Sequence, residues 1–420
     1  MRPGAISTRS SQRAKLGAIL ALAFLSRLGY DGYLYFHHFA KDPSAAARYA
    51  GPDGYWALSL GVLKRGEYAF APGRPETGRE PLYPMVLAAV ESIFGTSYWP
   101  GLFLNALFGA LTSWLLYLLA LRQTANTSVA LLAALLAALD PEWVFWSGML
   151  YRETFLTFLL ALWLLLDARA QMAPTPALYA GMGAAFGALA LCRSPFIPLG
   201  AAYVLLAASR LPPAAWQRTL GTFVLTATLF QIPWVIRNER ITGHFVPGAS
   251  IGGFHVYAPL RIDYSKPEMP VGTELNDPLV QSLNKSGLSP EQKDRIYYAA
   301  AWKIIRRRPL LFLDTFRIKA AKLWRPYPHP EWRLNYPHSF RAIEFLGLLS
   351  NLPLWLLGLA GLWLMKRQGR DILLPAAVLA VMTVIYGVFW GAARFHAPLV
   401  AALIVPAALA ALRLKEASAP

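Results

Sequence analysis

The sequence predicts an all-α polytopic membrane protein, and three observations predict it. The chain of 420 residues is 56% hydrophobic and only 15% charged, with a mean hydropathy of +0.38, a balance that soluble domains do not keep. Ten apolar runs recur from end to end, several near the roughly 20 residues that cross a hydrocarbon core. Fourteen Trp and nineteen Tyr fit aromatic belts at the two membrane–water interfaces. Inside lipid each span must satisfy its own backbone hydrogen bonds, which makes it a helix.

The runs fall at about 16–36, 98–121, 128–146, 153–168, 176–192, 195–209, 217–236, 342–365, 372–391 and 395–412. An eleventh, 82–95, is only about fourteen residues long and carries Pro84 and Glu91. The N-terminus is basic (Arg2, Arg9, Arg13, Lys15). The run after it lacks a small-x-small cleavage site, so it reads as a retained signal anchor. If 82–95 does not cross, the basic connections at Arg122, Asp167 to Arg169, Arg210 to Arg218, Lys366 to Arg370 and Arg413 to Lys415 share a side with that N-terminus. This satisfies the positive-inside rule, so 82–95 is expected to lie in, or dip into, the outer leaflet. About 10–11 transmembrane helices result. The organisation expected is a transmembrane module at 1–236 that includes a first outer loop at 40–84, an outer loop with amphipathic helices at 237–340, and C-terminal transmembrane helices at 341–420. The same parity puts Asp53, Arg79, Glu80, the 147–153 corner, Arg193, the 237–340 segment and Arg394 on one outer face.

The net charge of +17 would suggest nucleic acid in a soluble protein. Here it belongs to helix ends and one outer loop, no nucleic-acid motif accompanies it, and a basic membrane surface suits anionic lipid phosphates. The single cysteine, Cys192, excludes a disulfide within the chain and a Cys-rich metal site. Within 237–340, the stretch through GASIGGFHVYAPL reads as turns, irregular structure or short strands, followed by a polar linker at 265–290. From Pro290 a helical spacing runs through Ile296, Tyr297, Ala300, Ile304 and Ile305. After Pro309, LLFLDTFRIKAAKLW has the pattern of a helix in the headgroup plane.

Candidate chemistry gathers on the outer face. Asp53 precedes an amphipathic helix and reads as its N-cap. It also reads as a carboxylate at a partly dry interface, where a raised pKa would suit it to take a proton from a hydroxyl. Glu153 begins a span beside Arg152. The helix dipole favours an acid there, but an acid at the mouth of a bundle is costly unless satisfied or used. Arg193, Arg237 and Arg394 each stand at the end of an apolar run, where arginines snorkel. Three of them, with Arg79, on one face among few acids suggest a phosphate site, since guanidinium groups bind phosphate bidentately. His37, His38, His244, His255, His329, His338 and His396 show no regular spacing or HExxH, so a divalent metal is unsupported. There is no Walker loop, no GxGxxG in strand context and no GxSxG. No soluble nucleotide cofactor is expected, and the donor should come from the lipid phase.

The ordered series of Asp53, GREPLYP, TFLTFLLALWLLL opened by Glu153, LALCRSPFIPLG, PWVIRNERITGHFVPGASIGGFHVYAP, RRRPLLFLDTFRIKAAKLWRPYP and ARFHAPLVAALIVPAALAAL resembles the bacterial GT-C glycosyltransferases. The resemblance is to the protein mannosyltransferase and aminoarabinose transferase families, of glycosyltransferase family 39 type, and covers about residues 20–412. It implies a GT-C helical bundle with a periplasmic cap, a polyprenyl-phosphate sugar donor and transfer on the periplasmic side of the bacterial inner membrane. It implies a catalytic carboxylate in the first outer loop, which maps to Asp53, and a second acid at a later outer corner, which maps to Glu153. Many relatives carry two adjacent acids in the first loop, whereas Asp53 is followed here by Gly54; this adds weight to Glu153 and lowers the expectation of a metal.

The function expected is an inverting glycosyltransferase acting on a periplasmic hydroxyl of a glycan, lipid or protein acceptor. Asp53 would be the base, with Glu153 orienting the acceptor or tuning Asp53. Arg193, Arg237, Arg79 and Arg394 would hold the donor phosphate, and Tyr55, Trp56, Glu80 and Tyr83 would contact sugar or acceptor. A polymerase or ligase with a lipid diphosphate donor relies less on a carboxylate pair. A transporter or flippase calls for ionisable groups at the bilayer midplane, and here only Arg27 and Asp31, both in the first span, stand out. Membrane lipids are the other expected partners, and nucleic acid is not.

Overall fold

The structure, a computed structural model, describes residues 3–40, 53–262, 276–327 and 340–418. Within them each apolar run is helical. The order is α1 (Pro3–Leu34), α2 (Tyr55–Arg65), a hairpin of β1 (Ala69–Ala71) and β2 (Arg74–Pro75), α3 (Leu82–Phe94), α4 (Tyr98–Thr124), α5 (Thr127–Leu139), α6 (Pro141–Ser147), α7 (Glu153–Ala170), α8 (Pro176–Cys192), α9 (Ile197–Arg210) and α10 (Pro213–Thr242). The 237–340 segment supplies α11 (Gly252–Tyr257), α12 (Pro278–Lys285), α13 (Pro290–Arg307) and α14 (Pro309–Leu323). The chain ends with α15 (Phe340–Arg367), α16 (Leu373–Val388) and α17 (Ala401–Ala417). His329 and His338 lie outside the described residues. The two-residue pairing of β1 with β2 is the only strand structure among those described.

Three helices, α4, α10 and the 344–367 part of α15, are long and apolar enough to cross a membrane alone, and the bent pair α5–α6 makes a fourth. The other runs are shorter helices or carry more charge. At 13 residues, α3 is about 20 Å long, too short to cross a hydrocarbon core untilted.

Alanine and glycine let the bundle close. Helix α17 is buried over 401–410, and a Cβ on Gly361 of α15 would stand 1.9 Å from the carbonyl oxygen of Pro406. On α8, Gly183 and Gly187, four residues apart, bring that helix against the backbone of α10, where a Cβ at Gly183 would meet the Phe223 carbonyl at 2.3 Å. Small residues at helical spacing allow this close packing in membranes.

The 128–146 run is not one straight span. It bends by 50° between α5 and α6, because Pro141 follows Asp140, whose side chain caps the new helix by accepting from Trp143 N at 2.8 Å. The carbonyls freed at the break are met from α1. The buried Arg27 guanidinium donates to Ala138 O at 3.1 Å and Ala137 O at 3.3 Å. Arg27, conspicuous in sequence as a charge within a span, therefore closes a broken helix.

The 237–340 segment differs from the turn-or-strand expectation. Residues 252–261 form α11 and a 3-10 turn. The helical N-terminus is capped from α13, with Gly253 N donating to Asp294 Oδ1 at 2.6 Å, and Gly253 has no room for a Cβ against the Asp294 carbonyl. Val256, Tyr257, Leu260, Val280, Leu283, Tyr297 and Ala301 form a small separate core. The cap is tied to the first outer loop because Glu291 accepts from Thr77 and Ser250 hydroxyls, while Ser250 N donates to Thr77 O at 2.9 Å.

Replacing Arg27 by Leu should lower unfolding stability by about 2–4 kcal/mol, since it strands two buried carbonyls at the α5–α6 break. Unfolding in mixed micelles, titrated with a denaturing detergent, measures this; an unchanged midpoint refutes the role.

Candidate active site

Five chain segments, together with α2 and α11, converge on one cavity of about 160 Å³. The loop before α2 gives Asp53, the loop before α3 gives Arg79 and Glu80, and the residue before α7 gives Arg152. The α8–α9 corner gives Arg193, and the α16–α17 corner gives Trp390, Arg394 and Phe395; Tyr55, His255 and Tyr386 complete the polar lining.

Glu80 holds three of these segments together. It is 5% exposed and pairs with Arg152, while its other oxygen accepts from Ser194 N at 2.8 Å and Ser194 Oγ at 2.7 Å. Arg152 Nη1 also donates to Cys192 O at 3.1 Å. Burial alone would push the Glu80 carboxyl up, but Arg152 and Ser194 outweigh it and hold it at about 2. Glu80 lines the cavity, yet both of its oxygens are engaged, so it braces the site where a sugar or acceptor contact was expected.

Asp53 is not the N-cap. The cap residue of α2 is Gly54, at φ 74°, and no side-chain cap bond is made. This explains the missing second acid of the first loop. Position 54 adopts the left-handed region that favours glycine, and a Cβ there would stand 2.5 Å from the Phe70 ring. The Asp53 side chain is 18% exposed, and its Oδ2 pairs with Arg394 Nη2 at 2.7 Å. Burial pushes its carboxyl up, but Arg394, with Arg79 and Arg152, holds it below the ordinary carboxylate range. The raised value expected from an interfacial site is reversed by these arginines.

Glu153 does not pair with its neighbour Arg152. It is 1% exposed in the first turn of α7, with Oε1 at 3.5 Å from both Arg193 Nη1 and Arg394 Nε. Arg394 thus bridges the two acids. Arg193 is 3% exposed, and its guanidinium lies 3.7 Å above the Phe395 ring. Its Nε and Nη1 have no hydrogen-bond partner among the described residues. Arg79 donates only to backbone, to Asp53 O at 3.4 Å and Gly78 O at 3.1 Å.

Three expected site residues stand elsewhere. Arg237 donates to Glu76 O at 2.9 Å and Tyr68 O at 3.1 Å and lies 4.5 Å from the Trp234 ring centroid, so it braces the hairpin loop from outside the cavity. Trp56 packs against Tyr98, with ring centroids 4.4 Å apart and the planes tilted by 35°. The Tyr83 hydroxyl is spent on Asn105 Oδ1 at 3.2 Å. Tyr55 does line the cavity, and its buried hydroxyl has no partner among the described residues.

The lining residues missed include Arg152, Tyr386, Trp390, Phe395 and His255. Arg152 was visible only as a neighbour of Glu153. His255 was one outward histidine among several; burial, then Arg79 and Arg193, push its imidazole down to about 3, so it is neutral at pH 7. Among the described residues no three His, Cys, Asp or Glu side chains converge as metal ligands do.

Glu80 generates a pH prediction. Its folded carboxyl titrates near 2 against about 4.3 in an unfolded chain. The stability it contributes is present above pH 4.3 and lost as pH falls towards 2, on the order of 3 kcal/mol in all. Glu80→Gln should destabilise the protein at pH 7 by about 3–5 kcal/mol, leaving Arg152 buried and unpaired. It should also flatten the pH dependence of thermal unfolding between pH 4.3 and 2; a variant with wild-type stability at pH 7 refutes the brace.

Residues 74–236 match a family model described as dolichyl-phosphate-mannose-protein mannosyltransferase. The matched segment contains Arg79, Glu80, Arg152, Glu153 and Arg193 and stops short of Asp53 and Arg394. Among solved structures, the chain is similar to ArnT from Cupriavidus metallidurans bound to undecaprenyl phosphate, at 16% identity and a TM-score of 0.42, covering 90% of this chain and 78% of that one. The apo state of the same protein aligns at 15% identity and a TM-score of 0.40, covering 91% and 78%. No curated protein sequence matches significantly. The family match covers residues 74–236, about two-fifths of the chain, and that stretch is similar to the dolichyl-phosphate-mannose-protein mannosyltransferases.

Proposed function

We propose that the chain is an inverting glycosyltransferase that moves a sugar from a polyprenyl-phosphate donor to an acceptor hydroxyl on the outer face of the bacterial inner membrane. The observation that carries this reading is that one cavity holds an ionised Asp53, paired with Arg394, and a buried Arg193 whose Nε makes no hydrogen bond among the described residues and whose Nη1 has only a 3.5 Å ion pair with Glu153. A buried donor left unpaired costs about 1–3 kcal/mol, more when charged, and an anion arriving beside it recovers that cost. Arg79, free of acid partners among the described residues, adds a second cation. The family description, a transferase named for a polyprenyl-type phosphate sugar, supports the donor class.

The step follows from this arrangement. The acceptor oxygen attacks the anomeric carbon, the bond from that carbon to the phosphate oxygen breaks, and the acceptor proton passes to Asp53. Polyprenyl phosphate leaves with the added negative charge, which Arg193 and Arg79 stabilise more in the transition state than in the ground state. Glu153 neutralises Arg193 and Arg394 in part, so that neither binds phosphate too tightly to release it. A strongly ionised Asp53 is a weak base, but phosphate drawing Arg394 towards itself would return basicity to the carboxylate as the donor binds. Tyr55 offers a hydroxyl to sugar or acceptor.

Mass spectrometry of cell-envelope glycans, comparing cells that lack the gene with cells complemented by each variant, tests this. Asp53→Asn should insert normally and lose at least about 10³-fold of transfer, within the range of a lost general base. Arg193→Leu should lose at least about 10²-fold, as for a lost charge-stabilising donor. Arg237→Ala should keep near wild-type transfer. Glycans of wild-type composition from the Asp53→Asn strain would overturn the assignment.

A further inference from the structure

Helix α6 exists because the span around it breaks, and the break sets two side chains against the α16–α17 corner. Glu142, in the first turn of α6, is 1% exposed. Its Oε2 accepts from His396 Nε2 at 2.8 Å and from Asn351 Nδ2 at 2.9 Å, and its Oε1 accepts from Trp146 Nε1 at 3.0 Å. The next residue, Trp143, donates from Nε1 to Ala397 O at 2.8 Å. His396 is 0% exposed and packs against the rings of Trp355 and Trp324, with centroids at 4.9 and 6.1 Å.

The proton arrangement of His396 is fixed by its partners. Nδ1 lies 2.7 Å from Leu323 O, and a carbonyl oxygen only accepts, so Nδ1 carries a proton. Nε2 faces a carboxylate, so a second proton lies between the ring and Glu142. A buried pair of this kind is weak in net stability but strict in geometry, because breaking it strands a charge. None of these groups lines the cavity. Yet His396 is two residues from Arg394 in one tight turn, closed by Phe395 N to Ala392 O at 2.9 Å and His396 N to Ala393 O at 3.0 Å.

We propose that the Glu142–His396 pair is a positioning device that holds Arg394 between Asp53 and Glu153 from outside the cavity. The inference rests on the reading of Asp53 as the base. The charged and titratable groups facing Asp53 are Arg394 from the corner, Arg79 from the loop before α3, Arg152 from the start of α7 and Tyr55 from α2. Those facing His396 are Glu142 and Asp140 from α6 and its cap, with Asn351 on α15 and Leu323 O on α14 completing the cage. Burial drives the Asp53 carboxyl up, and Arg394 is the largest influence driving it down. If the corner loses its pin, Arg394 drifts and burial prevails.

The test reads Asp53 directly, in the full-length detergent-solubilised protein labelled with ¹³C at aspartate side-chain carboxyls. The Asp53 signal is assigned by its disappearance in Asp53→Asn and followed against pH. In wild type it should titrate below the ordinary aspartate range. In His396→Gln and in Glu142→Gln it should titrate at least one pH unit higher, approaching the value in Arg394→Gln. Asn351→Leu, which removes one donor to Glu142 and keeps the histidine, should give a smaller shift of the same sign. It serves as the second probe if the other two fail to insert. An Asp53 titration unmoved in every variant that inserts and melts cooperatively overturns the proposal, since a merely structural pair would change stability and leave Asp53 alone. Transfer retained by Asp53→Asn would instead remove the base assignment while the titration still reports on Arg394.

Discussion

A carboxylate taken out of water costs several kcal/mol unless a cation meets it, and this constraint shapes the end of the bundle where the cavity lies. Three buried or largely buried acids, Asp53, Glu80 and Glu153, stand among four arginines, 79, 152, 193 and 394. The pairing is uneven. Glu80 is fully committed to Arg152 and Ser194, and Arg152 to Glu80 and the Cys192 carbonyl through Nη1. Asp53 and Glu153 share Arg394, and Arg193 reaches Glu153 only at 3.5 Å. Positive charge is left over, and it faces the cavity.

That unevenness separates brace from chemistry. Glu80 joins the first outer loop to α7 and to the α8–α9 corner, and without it the other groups have no common frame. Arg237 and Tyr68 secure the hairpin loop behind it, and Thr77 with Glu291 ties that loop to the outer cap that carries His255. Among the cavity-lining residues, Arg193 and Tyr55 keep unmet hydrogen-bonding capacity, as does Arg152 at Nε. A buried polar group left unmet calls for an explanation, and for those lining the cavity a bound ligand would supply one.

The fold was largely legible because lipid leaves few options. Apolar runs of the right length must be helices, and they are. What the sequence did not show was where a run breaks. The 128–146 run is apolar throughout, and only Asp140–Pro141 marks the bend; its partner, Arg27, is over a hundred residues away. The helical form of 252–261 was hidden too, because its N-terminal cap comes from Asp294 on α13 and not from a neighbouring residue.

The site was legible in membership and opaque in pairing. Topological parity gathered Asp53, Glu80, Glu153, Arg79, Arg193 and Arg394 on one face, and the structure brings those six together. It could not say that Glu153 ignores Arg152 for Arg193 and Arg394, because sequence adjacency is a poor guide to side-chain direction at a helix start. Nor could it say that Arg237, equally placed at the end of a span, turns to carbonyls at residues 68 and 76. Gly54 is the most telling case. In sequence it is the absence of an acid; in the structure it is a left-handed hinge that turns α2 away and leaves Asp53 pointing at Arg394. With a single acid there, the placement of its one close arginine becomes the controlling variable. The buried pair two residues beyond that arginine then gains a significance that its distance from the cavity would not suggest.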